Sequence, residues 1–206
     1  MKVIFVVGIL LSLMLLVSIT QQSYAATTSL FPKSPPKKTV NTYVDEGLGF
    51  QINIPSGWHE GSLNDEGLTQ DLTLIVLSPD ENARINITYQ QLPTTIVKTT
   101  PDKFSKEGKT KIENYLKEGM QKKMLNTKFG KLSAMYYTNG VSISLPYSQS
   151  INTGGQTSQL RGVIYWYFLT ETGDMYVLET LSTADSYKTY QSSFLKAVNS
   201  FYVFPE

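Results

Sequence analysis

The chain has 206 residues, with 18 basic and 17 acidic side chains, one histidine and no cysteine. Near-neutrality argues against a dedicated nucleic-acid binder, which is normally strongly basic. The lack of cysteine leaves neither a disulfide framework nor a lipid-anchor thiol, so the chain must hold itself together by burial.

Residues 1–25 read as a secretory signal. Lys2 supplies a short positive start, residues 3–19 are apolar apart from Gly8, Ser12 and Ser18, and Ser23-Tyr24-Ala25 is a small-x-small cleavage site before Ala26. The apolar run falls close to the roughly 20 residues of a spanning helix, so an uncleaved anchor stays open as the alternative. The expectation is export: a secreted or extracytoplasmic protein, cleaved near Ala25 and peripheral to a membrane at most. Residues 26–42, with Pro32, Pro35, Pro36 and three lysines, read as an extended, solvated tether in which Leu30-Phe31 is an incidental apolar pair. The domain is expected over residues 43–206, about 160 residues, enough for one core.

Residues 43–45 form a short strand that turns into residues 50–54, where Phe50, Ile52 and Ile54 alternate with Gln51 and Asn53. Pro55 and Gly57 end that strand, and Trp58 plugs the end of a core. A polar loop over 59–70 leads to a strand at 71–77, a turn at 78–82 and a return strand at 83–89, an antiparallel hairpin. Thr100-Pro101-Asp102 opens a helix whose inner face carries Phe104, Ile112, Tyr115, Leu116 and Met120. Leu132, Ala134 and Tyr136 suggest a strand, and 148–158 a polar loop. Residues 162–169, Gly-Val-Ile-Tyr-Trp-Tyr-Phe-Leu, are apolar on both faces and predict a central, doubly covered strand. A hairpin turn at 170–174 joins it to a strand at 175–181. Thr183 or Asp185 then caps a last helix burying Tyr187, Tyr190, Phe194, Leu195 and Val198.

Two stretches carry a family resemblance. The opening Gly49-Phe50-Gln51-Ile52-Asn53-Ile54-Pro55-Ser56-Gly57-Trp58 resembles the start of PsbP-like domains, named for an extrinsic subunit of the oxygen-evolving photosystem. The Tyr176-Val177-Leu178 strand, the last helix and the terminal Ser200-Phe201-Tyr202-Val203-Phe204 resemble their final third. The resemblance implies an α+β fold, a mainly antiparallel sheet of about six strands with helices on both faces. Relatives include photosystem subunits, bacterial lipoproteins and a nuclear import factor, so fold alone does not carry function across.

Charge is segregated along the chain. Residues 43–97 hold eight acids and Arg84, whereas 98–131 hold ten lysines and four acids. Lys103, Lys106, Lys117 and Lys122 lie on the first helix but off its apolar stripe and are the candidate partner-binding residues. The loop residues His59, Asp65, Glu66 and Asp71 are the candidate metal ligands: carboxylates suit calcium, a cation also associated with photosystem members of the resembled family, and His59 a transition metal. His59 is the one imidazole, and no Gly-x-Ser-x-Gly elbow accompanies it, so no catalytic residue is assigned. Asn86-Ile87-Thr88 is a glycosylation sequon, usable only if its sheet face is open. The expected function is a non-catalytic binding or assembly module for an extracytoplasmic protein or membrane complex, working through the basic helix and the tether. A small calcium- or ligand-binding protein using 59–71 is the alternative, with a hydrolase behind both.

Overall fold

The computed structural model describes residues 29–31, 34–38, 41–63, 72–92, 101–153 and 155–204, with Thr153 as backbone only. The expected signal segment, Thr100 and the loop residues Asp65, Glu66 and Asp71 lie outside them. Among the described residues, strands β1 (Thr42–Asp45), β2 (Phe50–Asn53) and β11 (Tyr202–Val203) form a small sheet in the order β1-β2-β11. Gly49 at φ 68° lets the chain fold back between β1 and β2, a conformation open to glycine without a Cβ penalty.

The larger sheet has eight strands. Its order is β3 (His59–Glu60), β4 (Leu72–Leu77), β5 (Ala83–Gln91), β10 (Asp174–Thr183), β9 (Gln156–Leu169), β8 (Gly140–Thr153) and β6 (Thr127–Phe129), with β7 (Ser133–Tyr136) also paired to β8. Every pairing is antiparallel. The expectation of about six strands is therefore too low. Residues 148–158, expected as a loop, are largely strand. Ser148 to Thr153 pair with Arg161 to Gln156, and Ser150 and Gln159 share side-chain hydrogen bonds of 2.8 and 3.0 Å. Backbone pairing alone makes these strands. Their polar composition reports only that little core covers them.

Helix α1 (Lys106–Lys123) carries the chain from β5 to the far edge at β6. It starts later than Thr100-Pro101-Asp102 suggested. Pro101–Lys103 form a 3-10 turn, and Ser105 is the cap, its Oγ accepting from the Gly108 N–H at 3.1 Å. Pro101 and Phe104 are buried, which fixes the turn before the helix can begin. Helix α2 (Tyr187–Ser200) starts after Ser186, which makes no side-chain cap bond. Phe194, Ala197 and Val198 are its buried stripe, and Leu195, expected inside, is exposed because it falls off that stripe.

Alternation along β10 divides the interior. Tyr176 and Leu178 join Phe50, Trp58, Ile85, Ile87, Phe194 and Phe201 in one cluster. Met175 and Leu181 join Phe104, Ile112, Leu145, Ile164 and Trp166 in another. Successive side chains of a strand point to opposite faces, so a strand with both faces apolar must be covered twice. Trp58, as expected at the end of a core, meets Tyr190 and Phe194 edge-on at 5.6 and 5.7 Å between ring centroids.

Part of the expected tether is packed. Phe31 is buried against Tyr167, Phe201 and Tyr202, with centroid separations of 5.7, 6.0 and 6.0 Å. The Leu30 N–H donates to Asn139 Oδ1 at 2.7 Å. A Cβ on Gly140 would collide with the Phe168 carbonyl and stand 2.8 Å from Leu30 Cδ2, so glycine there clears the seat for Leu30. Gln51 Nε2 donates to the Pro36 carbonyl at 3.2 Å. Local composition favours solvation, but one aromatic ring finding a cluster of rings outweighs it.

Two substitutions check this architecture. Trp166→Ala should lower stability by roughly 3–5 kcal/mol in urea melts, as for other large aromatic truncations in cores. A change within about 0.5 kcal/mol would mark a surface position instead. Phe31→Ala should cost about 3 kcal/mol and open residues 29–38 to proteolysis, whereas a solvated tether would leave both measurements unchanged.

Candidate functional site

The basic surface is built on α1. Ile112 is buried, and Tyr115, Leu116 and Met120 are half-buried, so the sheet-facing stripe is apolar as the periodicity predicts. Lys103, expected on the helix, lies instead in the 3-10 turn before it; it, Lys106 and Lys122 are exposed, whereas Lys117 is half-buried. Lys111 pairs with Glu107 at 2.8 Å in the i, i+4 arrangement, and this contact holds the Glu107 carboxyl below its ordinary range. Lys109 sits 4.5 Å above the Tyr136 ring. Tyr136 donates to Glu113 Oε1 at 3.3 Å, and burial, then that carboxylate, pushes its hydroxyl pKa upward. Lys103, Lys106, Lys117 and Lys122 have no ion pair among the described residues. The helix therefore presents cations that its own carboxylates leave uncompensated.

Of the proposed metal ligands only His59 lies among the described residues. His59 is exposed on the edge strand β3, opposite Leu77, and Glu60 beside it points to the other face. Among the described residues no group of three or more histidines and carboxylates could hold a metal ion.

A second constellation went unread in the sequence. Tyr147 of β8 lies across Gly162 of β9, where a Cβ would collide with the Thr180 carbonyl and stand 2.8 Å from the Tyr147 ring. That glycine lets the Tyr147 hydroxyl reach Glu179 Oε1 on β10 and donate to it at 2.6 Å. Asn86 Nδ2 of β5 donates to Glu179 Oε2 at 3.0 Å. Burial raises the Tyr147 pKa, the Glu179 carboxylate raises it further, and Arg84 opposes them. Arg84 Nε and Asn86 Oδ1 are buried without a hydrogen-bond partner. The signal available was polar Arg84 and Asn86 on one face of β5, together with Glu179 between the apolar Val177 and Leu181 on one face of β10. Which strands would be neighbours was not available. Asn86 is 7% exposed, so its sequon is closed in the folded domain.

Asp80, in the turn between β4 and β5, accepts from Tyr190 at 2.6 Å, Ser78 at 2.7 Å and Asn82 at 2.9 Å. These donors hold its carboxyl well below the usual carboxylate range and tie α2 to the turn. It is a structural clamp.

Solved structures are similar to this chain, three of them as follows. The solution structure of cyanobacterial PsbP (CyanoP) from Synechocystis sp. PCC 6803 has a TM-score of 0.50 and 13% identity, covering 87% of this chain and 98% of that one. Saccharomyces cerevisiae Mog1p, a Ran-binding protein, has a TM-score of 0.47 and 12% identity, with coverages of 79% and 94%. Mycobacterium tuberculosis LpqN, involved in cell envelope biogenesis, has a TM-score of 0.47 and 12% identity, with coverages of 76% and 83%. At such identities the likeness is one of fold. Nothing among curated protein sequences matches the chain. The PsbP family model matches residues 38–203, from the end of the packed N-terminal segment to the last strand. The chain belongs to the PsbP family.

Proposed function

We propose that this chain is an exported, non-catalytic binding module that engages an extracytoplasmic protein or membrane complex through the lysine face of α1. The observation that carries this reading is the division of α1 itself. Its apolar stripe is spent on the sheet, while Lys106 and Lys122, with Lys103 in the turn before it, stand outward without carboxylate partners among the described residues. A field summed over several like charges steers an oppositely charged partner and speeds its encounter. In this reading the large sheet is sandwiched between α1 and α2, as the membership of the two core clusters supports. The structural core is then complete without the lysines, which frees them for recognition.

Export rests on residues 1–25, which end in Ser23-Tyr24-Ala25. The mature chain would start at Ala26 and keep Leu30 and Phe31, the residues that seat the N-terminal segment on the domain. Among the described residues no helix is long and apolar enough to cross a membrane. On the reading of Ser23-Tyr24-Ala25 as a cleavage site, N-terminal sequencing of the protein from its own cells should give Ala26. Recovery of Met1 in a membrane fraction would instead establish an anchor.

Replacing Lys103, Lys106, Lys117 and Lys122 together by Gln should leave thermal unfolding nearly unchanged, since the charges of the three exposed lysines contribute only about 0–1 kcal/mol each and Gln keeps part of the half-buried Lys117 stem. Capture of extracytoplasmic proteins by the wild type should weaken between low and moderate salt, and the Gln variant should lose most of it. Equal capture with equal salt dependence would remove α1 as the docking face.

A further inference from the structure

The end of α1 and the sheet edge beside it carry a different feature. Leu125 is 73% exposed, more than any other exposed large apolar side chain among the described residues. It is not a frayed end. Its carbonyl accepts from Gln149 Nε2 and from Thr127 Oγ1, both at 3.2 Å, and the Asn126 carbonyl accepts from the Ser150 N–H at 3.1 Å. Asn126 takes φ 57°, a left-handed conformation that asparagine tolerates better than most residues. The turn is pinned to β8, so Leu125 is held outward at a fixed place.

The charges within six residues of it along the chain are of one sign. From Gly119 to Thr170 there is no aspartate or glutamate, and the charged residues are Lys122, Lys123, Lys128, Lys131 and Arg161. All four lysines are exposed, and they sit within six residues of Leu125, at the end of α1 and along β6. The neighbouring side chains Gln149, Ser150 and Asn152 are polar and uncharged. At the opposite edge of the same sheet, the exposed residues Glu60, Asp80 and Glu81 mark β3 and the turn between β4 and β5. Charge is thus separated along the strand order, and such a dipole turns the β6 edge toward an anionic surface.

We propose that this edge is a membrane-docking tip, with Leu125 entering an anionic lipid surface and Lys122, Lys123, Lys128 and Lys131 contacting its headgroups. The shape decides between a lipid surface and an acidic protein. Leu125 projects from a turn as a single apolar side chain. A rigid protein partner would need a pocket placed to receive it, whereas a fluid headgroup layer yields to it. Flexible lysine stems lie along the apolar boundary while their ammonium groups stay with phosphate. One leucine with four lysines gives reversible binding, in keeping with a peripheral position.

The full chain has no cysteine, so Leu125→Cys provides a single site for an environment-sensitive fluorophore. Ser192→Cys, on the exposed side of α2, serves as the control, and it also reads any contribution of residues 3–19. The probes are phosphatidylcholine vesicles with and without phosphatidylglycerol. The label at 125 should shift to the blue on anionic vesicles only and be quenched by nitroxide lipid, while the label at 192 stays aqueous. High salt should abolish the response. Replacing Lys123, Lys128 and Lys131 by Gln should raise the lipid concentration for half response by more than about tenfold. The proposal is overturned if the label at 125 stays aqueous, responds equally to neutral vesicles, or matches the label at 192. It is also overturned if an acidic protein, and not lipid, shifts it. The assay contains no protein partner in its lipid arm and shares no substituted lysine with the α1 variant, so failure here leaves the reading of α1 standing.

Discussion

Strand β10 has no free side. It is hydrogen-bonded to β5 from Asp174 to Ser182 and to β9 from Met175 to Thr183, and its alternate residues enter two separate cores. Tyr176 and Leu178 on one face and Met175 and Leu181 on the other are all nearly inaccessible to water. A one-residue slip would exchange the two sets and place every one of them in the wrong core. The placement of both helices depends on this register, because Phe194 of α2 packs with the first set and Ile112 of α1 with the second.

Half-buried beside that apolar centre, on the face of Met175 and Leu181, lies Glu179. A carboxylate in such a place is costly unless its oxygens are satisfied, and breaking one of its bonds would leave the others stranded. Tyr147 and Asn86 each take one oxygen, and they come from strands on either side of β10. Gly162 is what permits it, since any side chain there would displace the Tyr147 ring. The polar cluster therefore cross-links β5, β10 and β8 at one level of the sheet. Asn86 Oδ1 and Arg84 Nε remain buried and unsatisfied, so this level retains polar capacity that the protein atoms do not use.

Charge follows the same strand order. Glu60, Asp80 and Glu81 are exposed at the β3 and β4 edge, and lysines outnumber acids on α1 and at the β6 edge, while the chain as a whole is close to neutral. Net charge alone hides this, because opposite ends cancel in the sum yet act separately on a partner within a Debye length of about 8–10 Å.

Periodicity in the sequence placed most of the buried apolar faces, though not exposed Leu195 or buried Gln51. Phe50 and Ile52 in β2, Ile85 and Ile87 in β5, Trp166 in β9 and the Ile112 stripe of α1 all lie where periods of two and 3.6 put them. Family membership was legible for the same reason, since its motifs are core residues. Tertiary structure alone decided the rest. Residues 148–153 are strand because β9 runs beside them, not because their side chains prefer it. Helix α1 waits for Ser105 because burial of Pro101 and Phe104 holds the preceding turn. Phe31 leaves its proline- and lysine-rich surroundings for a ring cluster formed by residues more than 130 positions away. Glu179, Tyr147 and Asn86 meet because three strands distant in sequence share one sheet. Periodicity records the face of each element; it carries no record of which element lies next to it.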